Sequence, residues 1–212
     1  MRVRTFILLC LAAYAGLPLV AQVRRPFVPE HYVGVRGGAM ASWVNFSPAV
    51  EHTMRYSFMV GAVYRMVSEK FFGFQLEANY VQRGWKESVD GDPYERLTGY
   101  LEIPFMTHIT FGSKVCKGFV NLGPSISVLL HENNVLNGSV YAQRTMKTAN
   151  VIDYGITGGV GFEVHTVAGV YLLDARYSFG LGDIFPSSAT DVFRTSSNQN
   201  IIVSLGWLFQ VK

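Results

Sequence analysis

Hydrophobic and polar residues alternate along eight segments of the chain, and each segment is 10 to 15 residues long. In the seventh segment, Leu173 and Ala175 share one face, while Asp174 and Arg176 share the other. A period of two predicts β-strands rather than helices. Soluble strands are typically about 5–6 residues long, whereas a tilted membrane strand needs roughly 9–11. The predicted strands are residues 32–43, 56–65, 71–83, 97–111, 117–130, 152–164, 169–181 and 200–211.

The segments between these strands alternate in length, with three of 4 or 5 residues and four of 12 to 21 residues. Long loops at one end and short turns at the other are typical of bacterial outer-membrane barrels, with both termini on the short-turn, periplasmic side. Nothing in a soluble β-sandwich would place all the long loops at one end and all the short turns at the other. The sequence therefore predicts an all-β fold, a single eight-stranded antiparallel up-and-down transmembrane β-barrel. The long segments are 44–55, 84–96, 131–151 and 182–199, and the short ones are 66–70, 112–116 and 165–168.

Lipid explains why such a sheet has to close. Hydrocarbon offers backbone groups no hydrogen-bond partner, so an open edge would leave a row of N–H and C=O groups unpaired. Pairing of the first strand with the eighth removes both edges. Pro104 and Pro124 lie inside the fourth and fifth strands, where each lacks a ladder donor. We expect a bulge or a missing ladder bond at each proline.

The N-terminus has the layout of a secretory signal peptide. Arg2 and Arg4 precede a ten-residue apolar run over residues 6–15, and Pro18 and Ala21 follow it. This run is too short to span a bilayer as a helix. We expect cleavage after Ala21, which divides the chain into a signal peptide at residues 1–21 and a barrel domain at residues 22–212.

The composition supports an exported, membrane-embedded chain. Mean hydropathy is +0.21 and aromatic residues make up 14%, yet no apolar run after the signal is long enough for a transmembrane helix. Cleavage leaves Cys116 as the single cysteine, so no intramolecular disulfide can form. It also leaves 16 basic residues against 15 acidic ones. This balance gives no reason to expect nucleic acid as a partner.

Charged residues on the polar faces of the predicted strands should point into the barrel. A Lys or Arg facing lipid at mid-membrane costs about 2–4 kcal/mol, and an eight-stranded barrel is just wide enough for side chains to fill it. Three positive and four negative charges nearly balance, which favours a salt-bridged plug; an ion-conducting lumen is the main alternative. The predicted interior network is Arg36, Arg65, Glu77, Glu102, Glu163, Asp174 and Arg176.

Catalysis is not indicated. Serine–histidine chemistry needs a nucleophile, a base and an orienting group within hydrogen-bond reach, and the sequence offers no compelling partner for any of the five histidines. No histidine–cysteine cluster suggests a metal site. The glycine-rich run from Gly155 to Gly161 lies inside a strand without a following helix, so it does not predict a phosphate loop. We predict a non-enzyme without a cofactor. The histidines are His31, His52, His108, His131 and His165.

The last strand resembles the signal that the barrel-assembly machinery recognises. Ser204 is followed by Gly206, Phe209 and Val211 at the expected spacing, although the chain ends on Val211-Lys212 rather than on an aromatic residue. This pattern predicts the assembly machinery as a partner during insertion. An ordinary last strand would show much of the same pattern.

Five motifs follow one another along the predicted barrel. They are Tyr100-Leu-Glu-Ile-Pro104, Gly123-Pro124, Tyr154-Gly-Ile-Thr-Gly-Gly-Val-Gly-Phe-Glu163, Asp174-Ala-Arg-Tyr-Ser-Phe-Gly-Leu181 and Ser204-Leu-Gly-Trp-Leu-Phe209. In this order they resemble the PorT-type, porin-like family of outer-membrane β-barrels. That resemblance implies membership of a porin-like class whose founding member is linked to a protein secretion system of the outer membrane.

Three functions remain open at the level of sequence, since a fold alone does not choose among them. The leading hypothesis is a non-catalytic barrel, bounded by outer-membrane lipid, that presents its long loops or docks a surface partner through them. The second is a narrow porin-like channel for small solutes. The third is an accessory component of an outer-membrane protein secretion system. The polar loops 131–151 and 182–199 are the unusual surface of the predicted barrel, although polar loops of this kind are more often simply solvated than binding sites.

Overall fold

The protein folds as a closed barrel of eight antiparallel strands in up-and-down order, which confirms the predicted fold class. The structure is a computed structural model that describes residues 27–47, 52–89, 92–136, 148, 150–185 and 195–211. The predicted signal peptide lies outside the described residues. Within them, no helix is long and apolar enough to cross a membrane. The strands are β1 (Glu30–Ser47), β2 (Thr53–Glu69), β3 (Phe72–Val89), β4 (Asp92–Gly112), β5 (Cys116–Leu136), β6 (Ile152–Thr166), β7 (Gly169–Asp183) and β8 (Thr195–Val211).

Pairing of β1 with β8 closes the sheet, so neither strand leaves a free edge along the barrel wall. A path through paired residues around the barrel returns to β1 ten residues from its start. With about 3.3 Å per residue and 4.8 Å between strands, this stagger tilts the strands by about 40°. The path runs from His31 through Met66, Phe74, Thr107, Leu122, Gly158, Tyr177 and Ile201 to Ala41.

Apolar side chains cover the outside of the barrel, and polar or charged ones fill much of the inside. Leu173 is 48% exposed, whereas Asp174, its neighbour in β7, is 2% exposed. Val35 and Arg36 in β1 differ in the same way. Successive strand residues point to opposite faces, so the predicted alternation agrees with the observed burial at these positions.

Several strands extend beyond their predicted bounds at the long-loop end. The predicted loop 84–96 is almost entirely strand, because β3 runs to Val89 and β4 begins at Asp92. The reason is a reversal of the alternation. In this region the inner face carries the large aromatic residues Trp85 and Tyr94, buried beside Arg96, and the outer face carries Lys86 and Glu95. A pattern of apolar residues facing outward therefore ends before the strands do.

The two strand prolines interrupt the ladder without a bulge. Of the two predicted outcomes, a bulge or a missing ladder bond, the gap in the ladder is the one observed. The β3–β4 ladder skips the positions around Pro104, and the β4–β5 ladder skips those around Pro124. The register is unchanged on either side of each gap. A proline without an N–H removes one ladder bond but inserts no residue. A register shift does occur between Gly99 and Tyr100.

Candidate functional site: the filled barrel interior

The interior is built from charged clusters and apolar layers that follow one another along the barrel axis. From the short-turn end to the long-loop end they are a lower ion pair, a central cluster of four charges, an upper cluster around Arg83 with a methionine layer beside it, and an aromatic layer. Each group is supplied by inward positions of several strands. Their arrangement decides whether the lumen is open or filled.

The central cluster joins two arginines and two carboxylates that come from three strands. Arg36 Nη1 lies 2.8 Å from Glu77 Oε1, and Arg36 Nη2 lies 3.0 Å from Asp174 Oδ1. Arg176 Nη1 is 2.8 Å from Glu77 Oε2, and Arg176 Nε also pairs with Asp174. All four side chains are at most 2% exposed. Two positive and two negative charges therefore cancel inside the barrel.

Neutral side chains add further hydrogen bonds to this cluster. Gln75 Nε2 donates to Glu77 Oε1 at 2.5 Å, and Asn79 Nδ2 donates to Glu77 Oε2 at 2.8 Å. Ser204 bonds to both Arg36 and Asp174. Gly159 provides the space, because a Cβ at this position would lie 2.6 Å from Arg176 Cγ. Buried charges are tolerated when they are paired and hydrogen-bonded in this way.

The lower ion pair lies nearest the short-turn end. Arg65 Nη1 is 2.5 Å from Glu163 Oε2, and Arg65 Nε donates to Gln75 at 2.7 Å. His165 Nε2 lies 2.8 Å from Glu163 Oε1. The pair is enclosed by an apolar cluster, and the Arg65 guanidinium lies over the Phe119 ring at 5.7 Å. The cluster consists of Tyr32, Val63, Phe119, Val170, Leu172 and Leu208.

The upper cluster is centred on Arg83. Its guanidinium pairs with Glu102 and lies 2.8 Å from Asp153 Oδ2. Arg83 Nη2 also donates to Ser127 at 3.1 Å, and the guanidinium lies 5.0 Å from the Tyr100 ring centroid. Both Arg83 and Asp153 fall on predicted polar faces, so the alternation already placed them inside, although they were not part of the predicted network.

Apolar layers adjoin the charged clusters. A methionine layer, which contains Met40 and Met59, lies beside the upper cluster, and an aromatic layer closes the long-loop end. Arg96 is fully buried there, with its guanidinium 5.3 Å from the Trp85 ring and 4.9 Å from the Phe185 ring. The methionine layer is Met40, Met59, Val81, Tyr100 and Ile202, and the aromatic layer is Val44, Phe46, Trp85, Tyr94, Ile184 and Phe185.

The structure places all seven charged residues of the predicted network inside the barrel, each at most 4% exposed. They lie in three charged clusters, and Gln75 links two of these because it accepts a hydrogen bond from Arg65 and donates one to Glu77. Arg36, Glu77, Asp174 and Arg176 form the central cluster, Arg65 and Glu163 the lower pair, and Glu102 belongs to the upper cluster.

The predicted assembly-signal residues occupy both faces of β8. Ser204 and Gly206 face the interior, where Gly206 lies opposite Leu172. Phe209 and Val211 face outward and are 41% and 44% exposed. Their recognition by the assembly machinery stays a prediction.

The histidines are held in local contacts. His108 is buried and its Nδ1 lies 2.7 Å from Asn121 Oδ1. Thr166, beside His165, donates its hydroxyl to the Gly169 carbonyl rather than to the imidazole. His131 Nε2 lies 3.4 Å from the Tyr80 hydroxyl. In the described ranges, no three His, Cys, Asp or Glu side chains are grouped to hold a metal ion.

Solved barrels from bacterial outer membranes resemble this structure at low sequence identity. OprG from Pseudomonas aeruginosa is 12% identical, with a TM-score of 0.49 over 85% of this chain and 96% of that one. Ail from Yersinia pestis is 13% identical, with a TM-score of 0.44 over 85% and 99%. The neisserial surface protein NspA is 12% identical, with a TM-score of 0.46 over 86% and 100%. No curated protein matches the sequence.

A family profile decides the classification. The profile described as "Outer membrane protein beta-barrel domain" matches residues 20–186, well over half of the chain. The profile describes outer-membrane barrels in general, and membership of the PorT-type family stays a prediction. Family, closed topology and apolar outer face agree with one another. The chain belongs to the outer membrane protein beta-barrel domain family and is a barrel of the bacterial outer membrane.

Proposed function

We propose that this protein is a non-conducting, non-catalytic outer-membrane barrel that presents its long-loop end outside the cell. The observation that carries this proposal is the filled interior, in which three charged clusters and the apolar layers around them follow one another along the lumen. Both termini of the barrel lie at the short-turn end, where His31 pairs with Val211. This arrangement favours periplasmic termini.

The filling opposes conduction in two ways. The central cluster has no net charge and its carboxylates are already paired with arginines, so it offers a passing cation no free carboxylate. The methionine layer would have to move aside before a hydrated ion could pass. A narrow porin-like channel therefore requires a second arrangement of the interior.

The long-loop end supplies the surface for a partner. β4 and β5 are 21 residues long, about twice what a tilted membrane crossing needs. The upper parts of β3 and β4 carry polar outer residues such as Lys86 and Glu95, which suits a wall that projects into water. We infer that this projecting wall and its loops are where a surface or secretion-system partner would dock.

Conductance in planar bilayers tests the proposal. The wild-type barrel should pass little or no current under conditions in which an open porin conducts. Replacing Glu102 and Arg176 with alanine removes charges from two clusters, and this should raise conductance or destabilise the barrel. Lys86→Ala, at an exposed position, is the matched control and should change neither. Large, stable wild-type channels would overturn the proposal in favour of the porin hypothesis.

A further inference from the structure

A pocket of about 550 Å³ opens at the short-turn end, between the lumen and the outer face of the barrel. We propose that it binds the phosphate head of one anionic glycerophospholipid, one acyl chain of which lies in an adjoining groove on the barrel wall. This inference rests on the proposed orientation, which puts the short-turn end in the periplasmic leaflet. The filled lumen plays no part in it.

The lining of the pocket is positively charged. Lys70, Lys114 and Lys117 oppose a single carboxylate, Glu30, which leaves a formal charge of +2 with His165 neutral. Glu30 already accepts a hydrogen bond from the Tyr32 hydroxyl at 2.6 Å. Lysine ammonium groups bind phosphate as point charges. The pocket therefore suits an anion.

The charged residues behind this lining do not neutralise its positive charge. Glu163 lies 3.9 Å from Lys117 Nζ and 2.8 Å from His165 Nε2, so it touches two lining residues. Its charge is matched by Arg65 at 2.5 Å, and the buried Arg65 Nη2 has no hydrogen-bond partner. The lower ion pair thus adds no net negative charge, and the excess of the three lysines remains.

One side of the same pocket is apolar and faces lipid. Phe71 and Phe111 are 55% and 61% exposed. The Phe111 ring packs over Gly118, where a Cβ would lie 2.5 Å from Phe111 Cε2. A lysine-lined recess beside exposed aromatic rings matches a molecule with an anionic head and an apolar tail.

Phe111 also lines an apolar groove of about 360 Å³ on the barrel wall, which links the pocket to that groove. The floor of the groove is a row of small outward residues on β5 to β8, whose members are paired in register. Three strand spacings cover about 14 Å across the strands. With the strands tilted by about 40°, the row rises about 9 Å along the barrel axis, so it can hold part of an acyl chain within one leaflet of a hydrocarbon core about 30 Å thick. The row is Val120, Val160, Ala175 and Val203, and Phe162 and Leu173 flank it.

The test measures lipid retention by native mass spectrometry on the folded mature chain, released from nanodiscs that contain equal amounts of phosphatidylglycerol and phosphatidylcholine. The wild type should retain one phosphatidylglycerol with a preference of at least about tenfold over phosphatidylcholine, because the lining carries a net positive charge and lysines near an anionic headgroup favour its binding. The triple variant Lys70→Gln, Lys114→Gln, Lys117→Gln should lose this preference, and Lys86→Gln at the opposite end should keep it. Equal retention of both lipids by the wild type would overturn the proposal.

A second pair of variants tests the groove. Ala175→Phe fills the row and should lower phosphatidylglycerol retention several-fold, whereas Ala62→Phe, at an exposed outward position of β2, should leave it unchanged. Retention that survives Ala175→Phe and is abolished by inorganic phosphate would show a phosphate site without a bound chain and would contradict the proposal. In a second set of nanodiscs that also contain lipid A, a preference for lipid A over phosphatidylglycerol would place the site in the outer leaflet and would likewise contradict it. Heat-dependent migration on gels verifies that every variant is folded.

Discussion

At the scale of single residues, the interior depends on arginines that share carboxylates. Glu77 accepts hydrogen bonds from both Arg36 and Arg176, and Asp174 bonds to the same two guanidinium groups. Removal of one partner from a buried ion pair is far more destabilising than the pair is stabilising, because a desolvated charge is left behind. The shared carboxylates are therefore the most sensitive positions of the central cluster.

Because Glu77 is shared by two arginines, we expect two glutamate variants to differ strongly in their free energy of unfolding. Glu77→Gln leaves two buried arginines with one fewer negative charge and should lower the free energy of unfolding by about 3–5 kcal/mol. Glu95→Gln breaks a pair with Arg55 in which the Glu95 side chain is 35% exposed and solvent screens its charge, so it should cost only about 1 kcal/mol. Urea unfolding in detergent micelles measures both values. Similar losses for the two variants would contradict the account of the central cluster.

At the scale of the strands, alternation predicted the fold because the period of two holds along each strand. What changes is the environment of the outer face. In β1, Val35 faces outward within the apolar belt, whereas farther along the strand Asn45 faces outward and Val44 and Phe46 are buried. A strand prediction that requires apolar residues on the outer face therefore locates the apolar belt but misses the strand ends that project beyond it. The reversal of the alternation is itself the signal that marks them.

Cysteine labelling tests the facing of β7. In a Cys116→Ser background, Leu173→Cys should react with a lipid-soluble reagent, and Asp174→Cys should not, because adjacent strand residues face opposite sides. Leu173→Arg should cost about 2–4 kcal/mol if the residue lies near mid-membrane. Label that enters at position 174 and not at 173 would mean that the strand is turned inside out.

At the scale of the whole molecule, the sequence could place charges inside but could not pair them. Arg36 and Asp174 are 138 positions apart and meet only because the barrel closes with a particular stagger. Alternation determines whether a side chain points inward or outward, whereas the stagger determines its position along the barrel axis. Neither the prolines nor the loop lengths in the sequence predicted that position. Glu102 therefore pairs with Arg83, which the predicted network did not include.

The orientation of the molecule predicts which cysteines are reached from outside the cell. Cys116 is exposed at the short-turn end, so a membrane-impermeant maleimide should label it only after the outer membrane is permeabilised. Lys86→Cys in a Cys116→Ser background lies at the long-loop end and should be labelled on intact cells. Labelling of Cys116 on intact cells, with Lys86→Cys protected, would place the termini outside.

The central claim is that side chains fill the barrel, and Ser204 offers the most direct test of it. Its hydroxyl lies in the central cluster and the residue is 1% exposed. In a Cys116→Ser background, Ser204→Cys in the folded barrel should stay unreactive toward a small water-soluble thiol reagent until the protein is unfolded by heat. Lys86→Cys provides the reference rate for an exposed site. Reaction of Ser204→Cys at a rate close to that reference would show water running through the lumen and would contradict the filled interior.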